Sequence, residues 1–362
     1  MSPYILILIW IGFMALLSGK LRVVKEETVC GEQMPRYIWL FAFIAFLPII
    51  WMAGTRGYVG DTYAYIRDFS IMPDTWRGLP YYLAGQTKDT GFYLFSALIK
   101  LVIGNQKVVY LTIIATIQGI CVLSVFRKYS YNYVCSVFLF LASTDYISWM
   151  FNGVRQFLAV TIVFAATTLM LKKKYVALLF VILLAAAFHQ SALIMIPLVL
   201  IAQGKAWNKR TLIFIALAIL SVLFVNQFTN LLDTMLSDTQ YSNVVSDYTA
   251  WNDDGTNPLR VAVYSVPAVL SFILRKKIEE TDNLLINFCT NMSILSMGLY
   301  LVSMVTSGIF IGRLPIYVSL YGYILLPWEL DHLVTAPSRK FAYAGMIVAY
   351  LGFYYIGIRP ML

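Results

Sequence analysis

Three short clusters place polar or ionisable side chains within or beside long apolar segments of this 362-residue chain. An ionisable side chain at membrane depth costs roughly 2.5–3.5 kcal/mol on insertion scales, so such side chains are functional candidates. Arginine binds phosphate groups in a bidentate manner, and histidine accepts a proton near neutral pH. The clusters therefore indicate anion binding combined with proton transfer. They are Asn152-Gly153-Val154-Arg155-Gln156, Phe188-His189-Gln190-Ser191-Ala192 and Gly312-Arg313-Leu314-Pro315-Ile316-Tyr317.

Arg155 and His189 carry the clearest chemistry. Arg155 falls in the opening turn of a predicted helix, where the helix dipole favours an anion, so it is expected to help that N-terminus hold an anion. The alternative is that Arg155 reaches outward to lipid headgroups. His189 lies near the middle of an apolar stretch and is a candidate general base. Its alternative is a neutral histidine that satisfies helix-end carbonyls.

Three further candidates have weaker signals. Arg313 precedes a proline that frees backbone groups, so it either binds an anion or caps that distortion. The motif Gly60-Asp61-Thr62-Tyr63-Ala64-Tyr65 follows Arg56, and Asp61 either acts in the reaction or caps a short helix. Arg260 opens an apolar segment and is another candidate anion contact.

The elements that must position these residues are membrane-spanning helices. Hydrophobic residues make up 60% of the chain and charged residues only 12%, about half the charged share of a soluble domain. A span needs about 20 apolar residues. The composition predicts an all-α, polytopic transmembrane helical bundle of about 10–14 spanning helices, forming a single domain over residues 1–362. The apolar runs are 3–17, 37–53, 108–126, 132–149, 156–171, 211–228, 259–274, 284–306, 308–328 and 341–358.

Two other apolar stretches do not fit ordinary spans. Residues 91–104 are short and contain Lys100, and residues 175–203 are too long for one span and too short for two. We expect each to be a re-entrant or broken segment. The second is predicted to be two half-helices that meet at His189 and Gln190.

Lysine and arginine predict the orientation of the chain. Six basic clusters between the apolar runs fall on one side, and such residues are retained in the cytoplasm. This places both termini outside, together with two long stretches predicted to be non-helical loops, 54–90 and 229–257. Their Asp, Asn, Tyr and Trp residues suit a carbohydrate-facing surface. An interfacial aromatic belt is an equal alternative for individual aromatic residues.

Other classes of ligand are not expected. The net charge of +9 comes from short clusters and not from a basic helix face, so nucleic acid is not a predicted partner. The four cysteines lack paired or metal-type spacing and the chain has two histidines, so neither a metal site nor a cofactor is predicted.

In order along the chain, these motifs resemble the EpsG-type members of the Wzy-like polysaccharide polymerases. The shared elements are Gly-Asp-Thr-x-x-Tyr from Gly60 to Tyr65, Asn-x-x-Arg-Gln from Asn152, Phe-His-x-Ser-Ala from Phe188, and a late Arg-x-x-x-Tyr. The last is matched by Arg313 and Tyr317. The chain departs from the family at Asp89-Thr90-Gly91-Phe92, where Glu-Pro-Gly-Phe is frequent. The resemblance covers about residues 55–325.

The resemblance implies a GT-C-like, metal-independent, inverting glycosyltransferase on the outer face of a bacterial cytoplasmic membrane. It implies transfer of a growing O-antigen, capsule or exopolysaccharide glycan from undecaprenyl pyrophosphate to a lipid-linked repeat unit. Membrane lipid and a chain-length regulator protein are the other implied partners. His189 is then the expected base, with Asp61 as runner-up, and arginines bind the pyrophosphate. The predicted binding residues are Arg155, Gln156, Arg313, Arg56, Arg260, Asn152, Tyr65 and Tyr317.

Rival functions remain open at this point. A transporter or flippase for a lipid-linked sugar or organic anion would also use broken helices and intramembrane arginines. The absence of an internal repeat counts against it. An O-antigen ligase uses the same donor with a different acceptor. A membrane acyltransferase lacks a clear histidine-aspartate motif here.

Overall fold

The computed structural model describes residues 2–19, 21, 24–30, 32–237 and 254–362. The chain divides into two compact units, Met1–Leu193 with Val334–Leu362 (unit 1) and Ile194–Leu333 (unit 2). The described residues are nearly all helical, which confirms the predicted helical class. The exception is an antiparallel β-hairpin of two six-residue strands, which the apolar runs did not predict.

Unit 1 contains the hairpin and most of the motifs. Its elements are α1 (Pro3–Ser18), β1 (Val24–Val29), β2 (Glu32–Tyr37), α2 (Trp39–Thr55), α3 (Thr62–Ile71), α4 (Leu79–Ala84), α5 (Thr90–Ile103), α6 (Lys107–Tyr129), α7 (Tyr133–Ala142), a π-helix (Tyr146–Asn152), α8 (Val154–Ala165), α9 (Thr167–Leu171), α10 (Tyr175–Phe188) and, near the end of the chain, a helix over Ala336–Ile358 followed by a 3-10 turn over Arg359–Met361. A further 3-10 turn, Gln190–Ile194, follows α10.

Unit 2 surrounds one buried helix. Its elements are α11 (Met195–Ala202), α12 (Lys209–Leu223), α13 (Val225–Leu236), α14 (Pro258–Ile273), α15 (Arg275–Thr281), α16 (Leu284–Met304), a 3-10 turn (Ile311–Arg313), α17 (Ile316–Ser319) and α18 (Gly322–Leu333). The amide side chain of Asn291 on α16 donates to the backbone oxygens of Ala202 and Lys205, both at 3.0 Å. This buried side chain fixes the connection between α11 and α12. The C-terminal helix of unit 1, Ala336–Ile358, is α19.

The helices are shorter and more bent than the apolar runs predict. Three described helices are long and apolar enough to cross a membrane: α6, α16 and the segment Ala336–Met361. Three further pairs of helices are long and apolar enough to cross a membrane when the two members are taken together, but each pair bends at a short break. The bends are 70° between α7 and the π-helix, 107° between α12 and α13, and 72° between α14 and α15. Counting each pair as one span gives up to six in the described residues, against the predicted 10–14.

The structure tests the two unusual apolar stretches. The prediction that 175–203 breaks at His189 is confirmed, because α10 ends at Phe188 and a 3-10 turn precedes α11. For 91–104, predicted to be re-entrant or broken, the structure excludes a break, since α5 is continuous, and the re-entrant alternative stays a prediction. The buried ammonium of Lys100 donates to the oxygen of Ser70 at 2.7 Å and pairs with Asp74 at 3.1 Å. The helix therefore accommodates this charge without unwinding.

Three other predicted boundaries are corrected. The stretch 54–90, predicted to be non-helical, contains α3 and α4. In the second stretch predicted to be non-helical, 229–257, helix α13 continues as far as Leu236. The remainder of that stretch, 238–253, lies outside the described residues. The predicted span 308–328 is interrupted, since the 3-10 turn, α17 and α18 replace a single helix around Pro315.

Glycines bring α2 and α6 close together. A Cβ atom at Gly54 would lie 2.5 Å from Oγ1 and 2.8 Å from Cα of Thr112, and one at Gly119 would lie 2.4 Å from Cγ1 of Ile50. Small residues allow helix backbones to approach within a membrane, where dispersion contacts replace the hydrophobic effect. This packing positions the end of α2, which leads into the motif from Gly60 to Tyr65.

Substitution of Gly54 by alanine is expected to destabilise the protein by about 1–3 kcal/mol, because the new methyl group overlaps backbone as well as side-chain atoms of Thr112. The measurement is the thermal unfolding midpoint in detergent. Gly12→Ala is the matched control, since no atom lies within 4 Å of a Cβ there. Equal midpoints for the two variants would contradict the proposed close approach.

Candidate active site

The first two motifs are joined by one side-chain amide in unit 1. Gly60 has a φ of +56°, and a Cβ atom there would lie 1.5 Å from Oδ1 of Asn152. The same Oδ1 accepts the backbone N–H of Asp61 at 3.2 Å, while Nδ2 of Asn152 donates to the oxygen of Ile147 at 3.0 Å. Only glycine fits this left-handed, closely packed position. Asn152 therefore fixes the start of α3 against the π-helix.

Arg155 lies one residue into α8, as predicted, and its guanidinium is held by protein groups. Nη1 donates to the Tyr93 hydroxyl at 3.1 Å and pairs with Oδ2 of Asp89 at 3.2 Å. The backbone N–H of Arg155 donates to the Tyr65 hydroxyl at 3.4 Å. Burial raises the pKa of the Tyr65 hydroxyl above its ordinary value, so this group stays neutral. The contacts direct Arg155 into unit 1.

A polar cavity of about 100 Å³ lies beside this arginine. The cavity is small beside typical small-molecule sites, which measure about 300–1,000 Å³. Two carboxylates and one guanidinium face it, together with tyrosine and apolar side chains. Its lining is Asp61, Ala64, Tyr65, Asp68, Met72, Phe92, Tyr93, Tyr110 and Arg155.

Helical spacing explains why α3 contributes three polar groups to the cavity. Asp61, Tyr65 and Asp68 are four and three residues apart, so they lie on one face of α3. Asp61 occupies the N-cap position, but its side chain makes no capping hydrogen bond. The carboxylate therefore lines the cavity and does not cap the helix. Sequence reasoning missed Asp68, although this spacing was a readable signal.

Asp89 and Tyr93 are further site residues that were discounted or missed. Asp89 has a φ of +51° at the start of α5, and its side chain is only 9% exposed in its pair with Arg155. The start of α5 is fixed by Gly91, where a Cβ atom would lie 2.8 Å from both Cβ and the oxygen of Ala187. The carboxylate at Asp89 thus reaches Arg155 despite the departure from the Glu-Pro-Gly-Phe pattern.

His189 is linked to α8, the helix of Arg155, by a short chain of hydrogen bonds through Ser191 and Gln156. Its Nδ1 is 2.7 Å from the Ser191 hydroxyl, which also accepts Nε2–H of Gln156 at 3.3 Å. The described lining of the cavity does not include His189. The structure therefore places His189 beside the residue after Arg155, and not on the cavity itself.

Arg56 is the last of the predicted site residues that lie in unit 1. It follows α2 directly, and its Nε–H donates to the Thr62 hydroxyl at 2.9 Å. Thr62 is the neighbour of Asp61, so Arg56 borders the segment that lines the cavity. Unit 1 thus brings together seven predicted residues: Arg56, Asp61, Tyr65, Asn152, Arg155, Gln156 and His189.

The other three predicted residues belong to unit 2. Arg313 is exposed in its 3-10 turn, whereas Tyr317 is 2% exposed. Arg260 lies in the first turn of α14, with its guanidinium carbon 5.5 Å from the ring centroid of Tyr264. The segments that carry the two arginines touch, because a Cβ atom at Gly312 would lie 2.5 Å from Oγ1 of Thr256. Unit 2 therefore gathers Arg260 and Arg313 in one region.

Several apolar helices, three helix pairs bent at a short break, and a small cavity with carboxylates and an arginine define a multi-pass membrane protein with a polar site. The model of the EpsG family matches residues 39–360. The chain belongs to this family, which is a Wzy-like polysaccharide polymerase family. No curated protein and no solved structure matches the chain. The family predicted from the four motifs is confirmed.

Replacement of Asn152 by alanine is expected to lower the free energy of unfolding by about 1–3 kcal/mol, because it leaves the Asp61 N–H and the Ile147 oxygen without their partner. Thermal unfolding in detergent measures this. The control is Asn105→Ala, an exposed asparagine in the turn between α5 and α6. If both variants unfold at the wild-type temperature, Asn152 does not join the two motifs.

Proposed function

We propose that this chain is a membrane glycosyltransferase that polymerises polysaccharide repeat units. The proposed reaction moves a growing glycan from undecaprenyl pyrophosphate to the terminal sugar of a lipid-linked repeat unit, with inversion and without a metal ion. The observation that carries the proposal is the polar cavity in which Arg155, paired with Asp89, stands beside Asp61 and Asp68. Membership of a polysaccharide polymerase family supports a glycan as the substrate proposed for that cavity.

The charges around the cavity favour an acceptor hydroxyl as its occupant. Asp89 pairs with Arg155 at 3.2 Å and Asp68 pairs with Arg67 at 3.0 Å. Among the described residues, Asp61 is therefore the lining carboxylate without an ion pair, and it would repel a pyrophosphate inside the cavity. A sugar hydroxyl has no charge and needs a base. Asp61 lines the cavity without a capping bond, so we assign it as the base that takes the proton from the acceptor. The deprotonated oxygen of the acceptor hydroxyl then attacks the anomeric carbon of the donor sugar.

The pyrophosphate leaves from the opposite face of the donor sugar, and cations must compensate its developing charge. Arg155 at the edge of the cavity and Arg56 beside Thr62 are the proposed cations of unit 1. Arg313, Arg260 and Tyr317 of unit 2 stay predicted phosphate contacts. His189 acts as a positioning residue, since its chain through Ser191 reaches Gln156, next to Arg155.

The membrane arrangement is also part of the proposal. The short and bent apolar helices cross the bilayer in addition to the longer ones, giving a GT-C-like bundle with both termini and the site on the extracytoplasmic side of a bacterial cytoplasmic membrane. A chain-length regulator is the proposed protein partner. The lysine and arginine clusters support this orientation.

The decisive test compares glycan chain length in a strain that lacks the chain and is complemented with single variants. Arg155→Ala and Asp61→Asn are expected to give single repeat units at normal membrane levels of protein, because one loses leaving-group stabilisation and the other the base. His189→Ala is expected to shorten the glycan ladder without abolishing it. The control is Arg77→Ala, an exposed arginine of the same loop region.

Each outcome separates the functions. Long glycans without the chain would overturn the polymerase proposal, and intact ladders from Asp61→Asn would overturn the assigned base. Single repeat units from His189→Ala with an intact ladder from Asp61→Asn would make His189 the base. Flipping of lipid-linked repeat units that continues in wild type while polymerisation is blocked would identify a transporter.

Asp89 offers a test of the ion pair. Asp89→Asn is expected to lower the polymerisation rate by about tenfold, because a neutral amide holds Arg155 more weakly than a carboxylate does. Asp89→Glu keeps the charge and should retain most activity. Lys88→Gln, an exposed neighbouring charge, is the control. Equal activity of the Asn and Glu variants would show that the charge at this position is not required.

A further inference from the structure

An apolar groove lies between α1 and α2 in unit 1, and Arg56 is part of its lining. Its volume is about 840 Å³, within the range of about 300–1,000 Å³ typical of small-molecule sites. Apolar exposure alone is ordinary for a protein that faces lipid. The groove differs from an ordinary lipid-facing surface in its volume and in having one cation, Arg56, in its lining. Its walls include Leu6, Trp10 and Phe13 of α1 and Pro48, Trp51 and Met52 of α2.

A proline and a tryptophan define the inner end of the groove. Pro48 lies inside α2 and has no N–H to donate to the oxygen of Ile44, four residues earlier. Trp10 supplies the missing donor, since its indole N–H bonds to that oxygen at 3.2 Å. From Pro3 to Phe13 the groove follows α1 over roughly 15 Å at about 1.5 Å per residue. That length is about half of a hydrocarbon core of about 30 Å.

Arg56 defines the other end. Its Nε–H donates to Thr62, Nη1 donates to the backbone oxygen of Ala53, and the guanidinium carbon lies 5.2 Å from the ring centroid of Phe151. Nη2 is buried without a hydrogen-bond partner among the described residues. Burial lowers the pKa of the guanidinium to about 10, so it stays charged at neutral pH. A partly buried cation whose buried Nη2 is an unused donor is stabilised by an anion.

The charge pattern selects one kind of ligand. Among the described residues that line the groove, Arg56 is the only charged one, and the remainder are apolar apart from the polar groups of a few side chains. This suits an amphiphile with an anionic head and a long apolar chain. The head would lie at Arg56, one residue from Asp61 of the cavity through Thr62. A lipid that carries the reacting sugar on its phosphate needs that neighbourhood, whereas a bulk lipid does not.

We propose that the groove between α1 and α2 binds the isoprenoid chain of a polyprenyl-phosphate carrier, with its phosphate at Arg56. The inference rests on the proposed function and deepens it, because it says where the carrier lies. One wall, α1, precedes the region 39–360 that matches the family model. The groove is therefore built partly by a segment outside the matched region.

The test measures binding of a radiolabelled polyprenyl phosphate to purified protein in phosphatidylcholine nanodiscs. Leu6→Trp fills the groove and is expected to weaken binding about tenfold, and Arg56→Gln removes the charge and should weaken it by a similar factor. Leu16→Trp is the matched control, because Leu16 lies on α1, is 74% exposed and is not in the groove. Unfolding midpoints identify any variant that fails to fold, and Arg56→Gln then decides.

Competitors identify the ligand. Phosphatidylglycerol has an anionic phosphate with two acyl chains, and free pyrophosphate has the charge without a chain; neither should displace the polyprenyl phosphate at equal concentration. Equal displacement by phosphatidylglycerol would show an ordinary anionic-lipid site and overturn the inference. Wild-type binding that is unchanged in both Leu6→Trp and Arg56→Gln would overturn the groove while leaving the polymerase proposal intact. No binding to wild type would overturn the proposed carrier and, with it, the groove.

Discussion

The pairing of Arg155 with Asp89 is the constraint on which the site of unit 1 depends. An arginine in the opening turn of a helix is opposed by the helix dipole and must be compensated by an anion. Here a carboxylate 3.2 Å away and a tyrosine hydroxyl provide that compensation. To bring Asp89 there, α5 has to begin at a left-handed residue, and Gly91 has to pack against α10.

Two different devices hold the surrounding elements. Asn152 joins α3 to the π-helix through its amide, while Gly60 leaves room for that amide. Elsewhere the irregular backbone is held by buried side chains, as Asn291 does for the connection between α11 and α12. In a membrane protein, irregular backbone is tolerated only where protein or a water-filled cavity supplies partners.

The arrangement also separates polar from apolar binding within unit 1. Thr62 touches Arg56 and adjoins Asp61, so one residue stands between an apolar groove that ends at a cation and a cavity that contains two carboxylates. A lipid-linked sugar has the same division, with an apolar chain, an anionic link and neutral hydroxyls. The polar and apolar parts of such a substrate would each meet the matching surface.

Composition and spacing determined the class of the molecule. The low share of charged residues indicated a helical membrane protein, and four short motifs in order indicated the family. The break at His189 and the start of a helix just before Arg155 were also readable, because polar residues and glycine interrupt apolar runs there. The predicted single domain, orientation and roles of the site residues stay predictions.

Only the tertiary structure decided which residues meet. Hydropathy averages over a window, so it could not show that 308–328 breaks into three pieces or that Lys100 is satisfied inside a continuous helix. It also gave no sign of the β-hairpin, whose strands are not apolar. The contact of Asn152 with Gly60, and the approach of Asp89 to Arg155, join residues far apart in the chain. Such contacts depend on how helices pack, and local residue preference carries no information about a partner 60 or 90 positions away.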